Sequence, residues 1–372
     1  MKTSLFVVCL GVFAVMALSN AIVPVLPAFA SGSAWQGSIY AAYFLGAFLS
    51  TLPGGILSDR YGRTRIILAG LTLTVLSGAL LFTTTMPLPV IVLRFVEGIG
   101  AGFFIAAGMS SVNSLPDHTR LSGYYLAMLN LGLVFGLVAS GWLAVQFMHP
   151  ALGIGVFTVL SLVALVIGLV IRERSNVPPE QNHTPPCCYE IVEIRDIATL
   201  TVSKSRLWYS AIILVGTTGV ITSLYPAFSG EPADVLGLWI AGMSMTTILS
   251  VLLVSRCSIP ALAAIRWSAV LMIGGVLLAY ISPWGFVVLG ALAGIVMVAQ
   301  MSVLACEKDR QGCVMGLFST SSYLGMTILP FIAGIIAFLA GFLAAFLFTA
   351  VLAGTVAFLF RRDGEHRSQS VQ

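Results

Sequence analysis

One short polar stretch between two long apolar runs decides the fold of this chain: Gly54-Gly55-Ile56-Leu57-Ser58-Asp59-Arg60-Tyr61-Gly62-Arg63-Thr64-Arg65. Each flanking run is long enough to cross a membrane, so the stretch is predicted to be a loop that joins two spans. Asp59 is expected to close the first of these helices, and three arginines crowd a turn that Gly62 makes possible. We call residues 54–65 the signature loop.

The composition indicates a membrane protein. Of the 372 residues, 58% are hydrophobic and 9% are charged, whereas about a quarter of the residues of a soluble domain are charged. The mean hydropathy is +1.02. Six stretches of about 20 mostly apolar residues precede residue 172, and six follow residue 206. The sequence therefore predicts an all-α integral membrane protein with twelve transmembrane helices.

The distribution of charge predicts the orientation of the spans. If the amino terminus is inside, every Lys and Arg except Arg94 lies on the cytoplasmic side, and the outer loops carry only Glu231, Asp234 and His149. This one-sided bias is the positive-inside rule. Both termini are expected in the cytoplasm, and the protein is expected in the cytoplasmic (inner) cell membrane. The basic residues lie in loops, so the formal charge of +4 does not predict a nucleic-acid partner.

The signature loop resembles the loop between helices 2 and 3 of the major facilitator superfamily. The shared pattern is Gly-x-Leu-(small)-Asp-Arg-x-Gly-Arg, with Ser58 in place of the usual alanine and Thr64 in place of the usual lysine. The residues that carry the match and form the predicted conformational gate are Gly55, Asp59, Arg60, Gly62 and Arg63.

The resemblance implies two parallel six-helix halves around a central cavity, with alternating access by rocking one half against the other. It also implies that the aspartate of the loop helps to lock the cytoplasmic side against the start of helix 11. Asp59 would then meet the positive amino end of the helix that begins near Gly312.

A second motif lies in the fourth predicted span: Arg94-Phe95-Val96-Glu97-Gly98-Ile99-Gly100-Ala101-Gly102. Arg94 lies some 9 Å inside the helix at about 1.5 Å per residue, and Glu97 follows one turn later on the same face. The stretch resembles the Arg-x-x-(Gln)-Gly-x-Gly motif of the proton-driven drug and metabolite exporters of the family, with Glu97 replacing the usual glutamine. The resemblance favours a proton-coupled exporter.

Two interpretations of Glu97 remain open. It either carries the coupling proton or is the permanent counter-ion of Arg94, since an ionisable residue inside the membrane needs a partner. All four His lie in loops or tails, and no other carboxylate is predicted to lie deep in a span. If transport is coupled to protons, Glu97 is therefore the first candidate for the coupling residue, with Arg94 as its ion-pair partner.

A polar, proline-containing segment divides the chain into similar parts. The predicted organisation is an N-terminal six-helix half over residues 1–172, a cytoplasmic linker over 173–206, a C-terminal half over 207–361 and a cytoplasmic tail over 362–372. Pro226-Ala227-Phe228 ends the seventh span much as Pro27-Ala28-Phe29 ends the first. This similarity supports two repeated halves.

Polar and aromatic side chains within the spans are the candidates for the cavity wall. They are Asn20, Tyr40, Tyr43, Asn130, Thr218, Thr222, Tyr225, Gln300, Ser321 and Tyr323. The alternative for each hydroxyl is a hydrogen bond to the backbone of its own helix. Hydroxyl, amide and aromatic groups suit an uncharged or weakly charged small organic molecule better than a phosphate ester or a dicarboxylate, which would need several cations.

Three functions remain open at this stage. The first is a secondary active transporter for a small organic molecule, with proton-coupled efflux; the second is sugar or metabolite uptake or uniport. The third is a non-transporting scaffold or a lipid-handling relative on the same fold. An enzyme is not expected, because the sequence has no metal cluster, nucleophile constellation or phosphate-binding loop. The expected partners are the substrate, protons and membrane lipid; no cofactor or metal is expected, and the protein is expected to be a monomer.

Overall fold

The computed structural model describes residues 2–115, 118–174, 202–257, 259–304 and 311–360, and its description leaves out the side chains of residues 2–4, 59, 118–120, 172–174 and 311–316. Within the described ranges the regular structure is helical, and twelve helices are long and apolar enough to cross a membrane. The predicted fold class is therefore confirmed. Most of the predicted linker, the predicted tail and the side chain of Asp59 lie outside the described residues.

The twelve membrane helices are α1 (Lys2–Ala21), α2 (Ser33–Tyr61), α3 (Arg63–Thr83), α4 (Pro87–Asn113), α5 (His118–Gln146), α6 (Leu152–Arg174), α7 (Ser205–Ser229), α8 (Ala233–Val254), α9 (Ala261–Ile281), α10 (Trp284–Leu304), α11 (Gln311–Ala340) and α12 (Phe342–Leu359). A 3₁₀ turn (Val23–Val25) and a helical turn (Leu26–Phe29) extend the first span beyond α1.

The first span is interrupted where its prolines predict an interruption. Pro24 and Pro27 have no backbone N–H to donate, and a proline ring inside a helix clashes with the preceding turn. The regular helix accordingly ends at Ala21, and the two short turns that follow each contain one of these prolines. Asn20 lies just before the break and donates from Nδ2 to the carbonyl of Leu133 in α5 at 3.2 Å.

Two glycines end helices through a positive φ. Gly62 adopts φ +93° between α2 and α3, and Gly341 adopts φ +85° between α11 and α12. A side chain with a Cβ is strained in this region of φ, so a glycine can stop a helix without any polar residue. This explains how residues 312–360, which have no clear polar break, form two spans.

The packing of the first six helices recurs in the last six. The pairs α1–α5, α2–α4, α3–α4 and α3–α6 have counterparts in α7–α11, α8–α10, α9–α10 and α9–α12. Each counterpart is displaced by six helices, as two parallel repeats require. Between the halves, the main contacts are α2 with α11 and α5 with α8.

One end of the bundle is held shut by the packing of α2 on α11. Ser33 Oγ donates to the carbonyl of Gly334 at 3.1 Å, and a Cβ added to Gly37 would lie 2.6 Å from the carbonyl oxygen of Pro330. Both contacts lie in the first two turns of α2. We call this side of the bundle the closed end; the signature loop, at the other end of α2, lies at the opposite side.

The packing of α5 on α8 closes the same side. A Cβ at Gly141 would overlap the carbonyl oxygen of Ala233, and a Cβ at Gly237 would overlap that of Leu137. These positions lie near the end of α5 and in the first turns of α8. The two halves therefore touch backbone to backbone at the closed end.

Candidate functional site

A cavity of about 520 Å³ lies between the two halves and receives side chains from both. Eight of the ten predicted wall residues line it: Asn20, Tyr40, Tyr43, Asn130, Thr218, Thr222, Gln300 and Tyr323. None of the described side chains in its wall is charged. The structure places these residues in the cavity wall, and their role in binding stays a prediction.

Two of the predicted wall residues lie elsewhere, so their assignment to the wall is corrected. Tyr225 is buried near the end of α7 that lies at the closed end of the bundle. Its ring packs edge-on against Phe286, with the ring centroids 4.7 Å apart, and against Phe228, with the centroids 5.9 Å apart. Ser321 lies on α11, but the face of that helix that lines the cavity carries Ser322 and Met326 instead. At 100° per residue, position 321 points to a different side.

Apolar residues that sequence reasoning did not select form much of the wall. Five methionines line the cavity, together with the rings of two phenylalanines: Met16, Met243, Met297, Met301, Met326, Phe44 and Phe318. Methionine is unbranched and polarisable, so it adapts to ligands of different shape. Nothing in the sequence marks these positions, because an apolar residue of a span can equally face lipid or a neighbouring helix.

Arg94 and Glu97 form an ion pair that is sealed from the cavity. Arg94 Nη1 donates to Glu97 Oε2 at 2.8 Å, and Arg94 Nη2 donates to the carbonyl of Ser19 at 3.0 Å. Each residue is 1% exposed, and neither lines the cavity. Among the described residues, Arg94 Nε and Glu97 Oε1 have no partner. The pair therefore has unused donor and acceptor capacity on the buried face of α4.

Tyr43 separates this pair from the cavity. The guanidinium carbon of Arg94 lies 4.5 Å from the centroid of the Tyr43 ring, a distance that permits a cation–π contact. The Tyr43 hydroxyl lies beside the side chain of Ser19, and both Tyr43 and Ser19 line the cavity. Both wall residues also contact Arg94, Tyr43 through its ring and Ser19 through its backbone carbonyl.

Glycines allow α2 and α4 to pack closely at the point where Tyr43 lies over the ion pair. A Cβ at Gly98 would overlap the carbonyl oxygen of Tyr43, and a Cβ at Gly46 would overlap that of Phe95. The backbones of α2 and α4 thus meet directly next to Arg94, which small residues allow in a membrane bundle. The Gly-rich run after Arg94 therefore sets the distance between Tyr43 and the guanidinium group.

The signature loop is shorter than its sequence predicts: α2 continues through Tyr61 and α3 begins at Arg63, so most of residues 54–65 are helical and Asp59 lies within α2 instead of ending it. Gly62 provides the turn through its positive φ, and the Arg60 guanidinium carbon lies 5.5 Å from the centroid of the Tyr61 ring. A Cβ at Gly55 would meet no atom within 4 Å. The side chain of Asp59 and the side chains of residues 311–316 are outside the description. The predicted contact of Asp59 with the start of α11 stays a prediction, as does the gating role of Arg60 and Arg63.

Comparison with known proteins decides the family. Residues 8–305 match the family model of the Major Facilitator Superfamily. The chain belongs to this superfamily. It is therefore a multi-pass membrane transporter and not an enzyme, as the signature loop predicts.

A curated relative in the superfamily matches almost the whole chain. Multidrug resistance protein 2 of Bacillus subtilis (strain 168) is 23% identical over 372 residues, which cover 90% of this chain and 89% of that protein. The class C tetracycline resistance protein of Escherichia coli is 31% identical over 143 residues, which cover 38% of this chain and 35% of that protein.

Solved structures of the superfamily share the fold. A bacterial homologue of the human lysosomal transporter Spinster, in an inward-facing and occupied conformation, superimposes with a TM-score of 0.76 at 15% identity and covers 97% of both chains. Because identity is this low, the similarity shows the twelve-helix fold alone.

Proposed function

We propose that this transporter exports a small amphiphilic organic molecule across the cytoplasmic membrane in exchange for protons. One observation carries the proposal: a cavity with an uncharged described wall lies against the sealed Arg94–Glu97 pair, with Tyr43 between them. The cavity supplies the binding site for the cargo, and the buried carboxylate supplies a site for the coupling proton.

The cavity favours an amphiphile of drug-like size. Its volume of about 520 Å³ is within the usual range for small-molecule sites, roughly 300–1,000 Å³. Its wall combines aromatic rings, thioethers, hydroxyls and amides. A phosphate ester or a dicarboxylate would be poorly held, because no cationic side chain among the described wall residues is available to neutralise it.

Glu97 is the best-placed proton carrier. Among the described side chains, it is the one carboxylate that lies more than a turn inside a span. When a proton adds to its carboxylate, the charge of Arg94 is left with the Ser19 carbonyl and the Tyr43 ring as partners. Arg94 can therefore keep a stable position in both protonation states of Glu97, as an exchanger that cycles between them requires.

The relatives support export as the direction of transport. In this conformation the halves meet at the closed end, opposite the signature-loop end, which the distribution of Lys and Arg predicts to be cytoplasmic. The names of two relatives refer to multidrug and tetracycline resistance. Export in this chain is inferred from the combination of these observations.

Proton exchange by reconstituted protein tests the proposal. Wild type, Glu97→Gln and the control Glu231→Gln, in the loop before α8, are compared in proteoliposomes with an internal pH dye. Lipophilic amines, neutral amphiphiles and D-xylose are added in turn. We expect an amphiphile to drive proton movement in wild type and Glu231→Gln and to fail in Glu97→Gln. Proton movement driven by D-xylose, and by no amphiphile, would replace export of amphiphiles with sugar transport.

A further inference from the structure

We infer that the lipid-facing surface of α9 binds an anionic phospholipid, whose headgroup phosphate is held by Arg266. We call Arg266, Trp267 and the exposed apolar residues Leu262, Val270 and Leu271 the α9 lipid site. No residue of α9 lines the central cavity. The lipid site is therefore separate from the cavity and does not depend on the export proposed for it.

Arg266 is a cation inside a span without a counter-charge on the protein. Among the described side chains, Arg94 and Arg266 are the two cations that lie more than one turn inside a span. Arg266 is the sixth residue of α9, about 7.5 Å past the start of the helix. Arg94 is buried and paired with Glu97, whereas Arg266 is partly exposed and forms no ion pair with a described side chain. A cation at this depth needs a partner.

The exposure pattern of α9 places Arg266 on the side of the helix that contacts lipid. Leu262 lies four residues before Arg266, and Val270 lies four residues after it; both are exposed. Residues four apart share a face of a helix. The other face of α9 is buried and packs against α10 and α12. Lipid is therefore the surrounding that can supply a counter-charge to Arg266.

The direction of α9 brings the Arg266 side chain toward the membrane surface. Because α8 starts at the closed end, α9 starts at the signature-loop end. Side chains of an α-helix lean toward its amino terminus, and a long arginine can keep its stem among acyl chains while its charge reaches the headgroups. The distribution of Lys and Arg predicts this side to be cytoplasmic. The cytoplasmic leaflet is the one that attracts cations through its anionic lipids.

Trp267 and Arg256 add to the affinity of this end of α9 for a phosphate. Trp267 is 60% exposed, and the Arg266 guanidinium carbon lies 5.6 Å from the centroid of its ring. An indole at the membrane interface keeps its ring among apolar groups and offers its N–H to polar ones. Arg256 is exposed in the turn after α8 and adds a second cation at the same end. A guanidinium group can bind a phosphate through two parallel hydrogen bonds.

A phospholipid fits these residues better than a soluble anion does. Leu262, Val270 and Leu271 are exposed next to the two polar side chains. Acyl chains would cover these apolar residues while the phosphate meets Arg266, and inorganic phosphate would leave them uncovered. A zwitterionic lipid carries an ammonium group that competes with Arg266 for the same phosphate. The α9 lipid site therefore favours an anionic lipid.

Native mass spectrometry of the purified full-length protein in detergent tests the site. Phosphatidylglycerol and phosphatidylethanolamine with the same acyl chains are added at increasing concentration, and the fraction of protein that carries one lipid is measured. We expect wild type to bind phosphatidylglycerol more tightly. Arg266→Gln should weaken this binding roughly fivefold, which is the effect of one cation at an anionic lipid surface. Arg266→Lys keeps the charge and should retain most of the affinity.

Arg65→Gln is the matched control. Arg65 is exposed in the first turn of α3, the helix of the first half that corresponds to α9, and its replacement changes the net charge equally. This variant should keep the wild-type affinity for phosphatidylglycerol. Wild-type affinity in Arg266→Gln, an equal loss in Arg266→Gln and Arg65→Gln, or equal binding of the two lipids to wild type would each overturn the inference. Displacement of phosphatidylglycerol by inorganic phosphate would also overturn it, because the site would then belong to a soluble anion.

Discussion

Tyr43 covers Arg94: the centroid of its ring lies 4.5 Å from the guanidinium carbon, and its other surface faces the cavity. The two residues are 51 positions apart in sequence, and their backbones are brought together where α2 meets the glycines of α4. A cargo in the cavity and a proton on Glu97 would therefore affect each other through the Tyr43 ring and through Ser19, whose carbonyl accepts from Arg94.

Removal of the Tyr43 ring should uncouple transport from protons. In Tyr43→Leu, cavity water gains access to the Arg94–Glu97 pair, so we expect proton leakage without cargo. Tyr43→Phe keeps the ring and should not leak protons. Leakage is measured with an internal pH dye in proteoliposomes under an imposed pH gradient, and Tyr323→Leu, on the opposite wall, is the control. A Tyr43→Leu variant that does not leak protons would show that the ring is not the barrier to proton leakage.

Replacement of only one residue of the ion pair should lower the stability of the protein. Arg94→Leu or Glu97→Leu alone leaves one buried charge without its counter-charge, which typically costs about 3–5 kcal/mol. We expect the double Leu variant to be more stable than the worse of the two single variants, because no unpaired charge remains. Unfolding temperatures in detergent give the order of stability of the three variants. A double variant whose loss of stability equals the sum of the two single losses would contradict the pairing.

Gly98 should tolerate no larger side chain. Its Cβ in Gly98→Ala would overlap the carbonyl oxygen of Tyr43, so α2 and α4 would have to separate, at a cost of about 1–3 kcal/mol for overpacking. Gly242→Ala is the control, because a Cβ at that helical position meets no atom within 4 Å. Unfolding temperatures should fall for Gly98→Ala only. Equal behaviour of the two variants would contradict the close helix contact.

A disulfide across the closed end should stop transport reversibly. Ser33 and Gly334 lie on different halves, and the Ser33 hydroxyl donates to the Gly334 carbonyl at 3.1 Å. The Ser33→Cys/Gly334→Cys protein, with its native cysteines replaced, should lose transport on oxidation and regain it on reduction, because alternating access requires this end to open. Each single-cysteine variant is the control. Undiminished transport by the cross-linked protein would exclude opening at this site.

Neutralising the signature loop should weaken closure at its own end. If Asp59 meets the amino end of α11, Asp59→Asn removes a favourable interaction with the helix dipole. We expect more frequent opening on the signature-loop side, read as faster labelling of a cysteine introduced at Ser319 in the cavity wall. Glu231→Gln should leave labelling unchanged. An unchanged labelling rate in Asp59→Asn would remove the gate assignment.

The sequence alone determined the class of protein, the twelve spans, the superfamily and the pairing of Arg94 with Glu97. These properties depend on local signals: long apolar runs, a charged loop, and two charges separated by one helical turn. The break after Ala21 also follows from proline chemistry in the chain itself.

The tertiary structure alone decided which faces of the spans line the cavity. It excluded Tyr225 and Ser321 from the wall, added the methionines and placed Tyr43 over Arg94. In a soluble helix, polarity separates the outer face from the inner face, but in a membrane both lipid and protein neighbours are apolar. Hydrophobic pattern therefore identifies the spans without orienting them, and only the packing of helices distant in sequence assigns each side chain to lipid, to a helix contact or to the cavity.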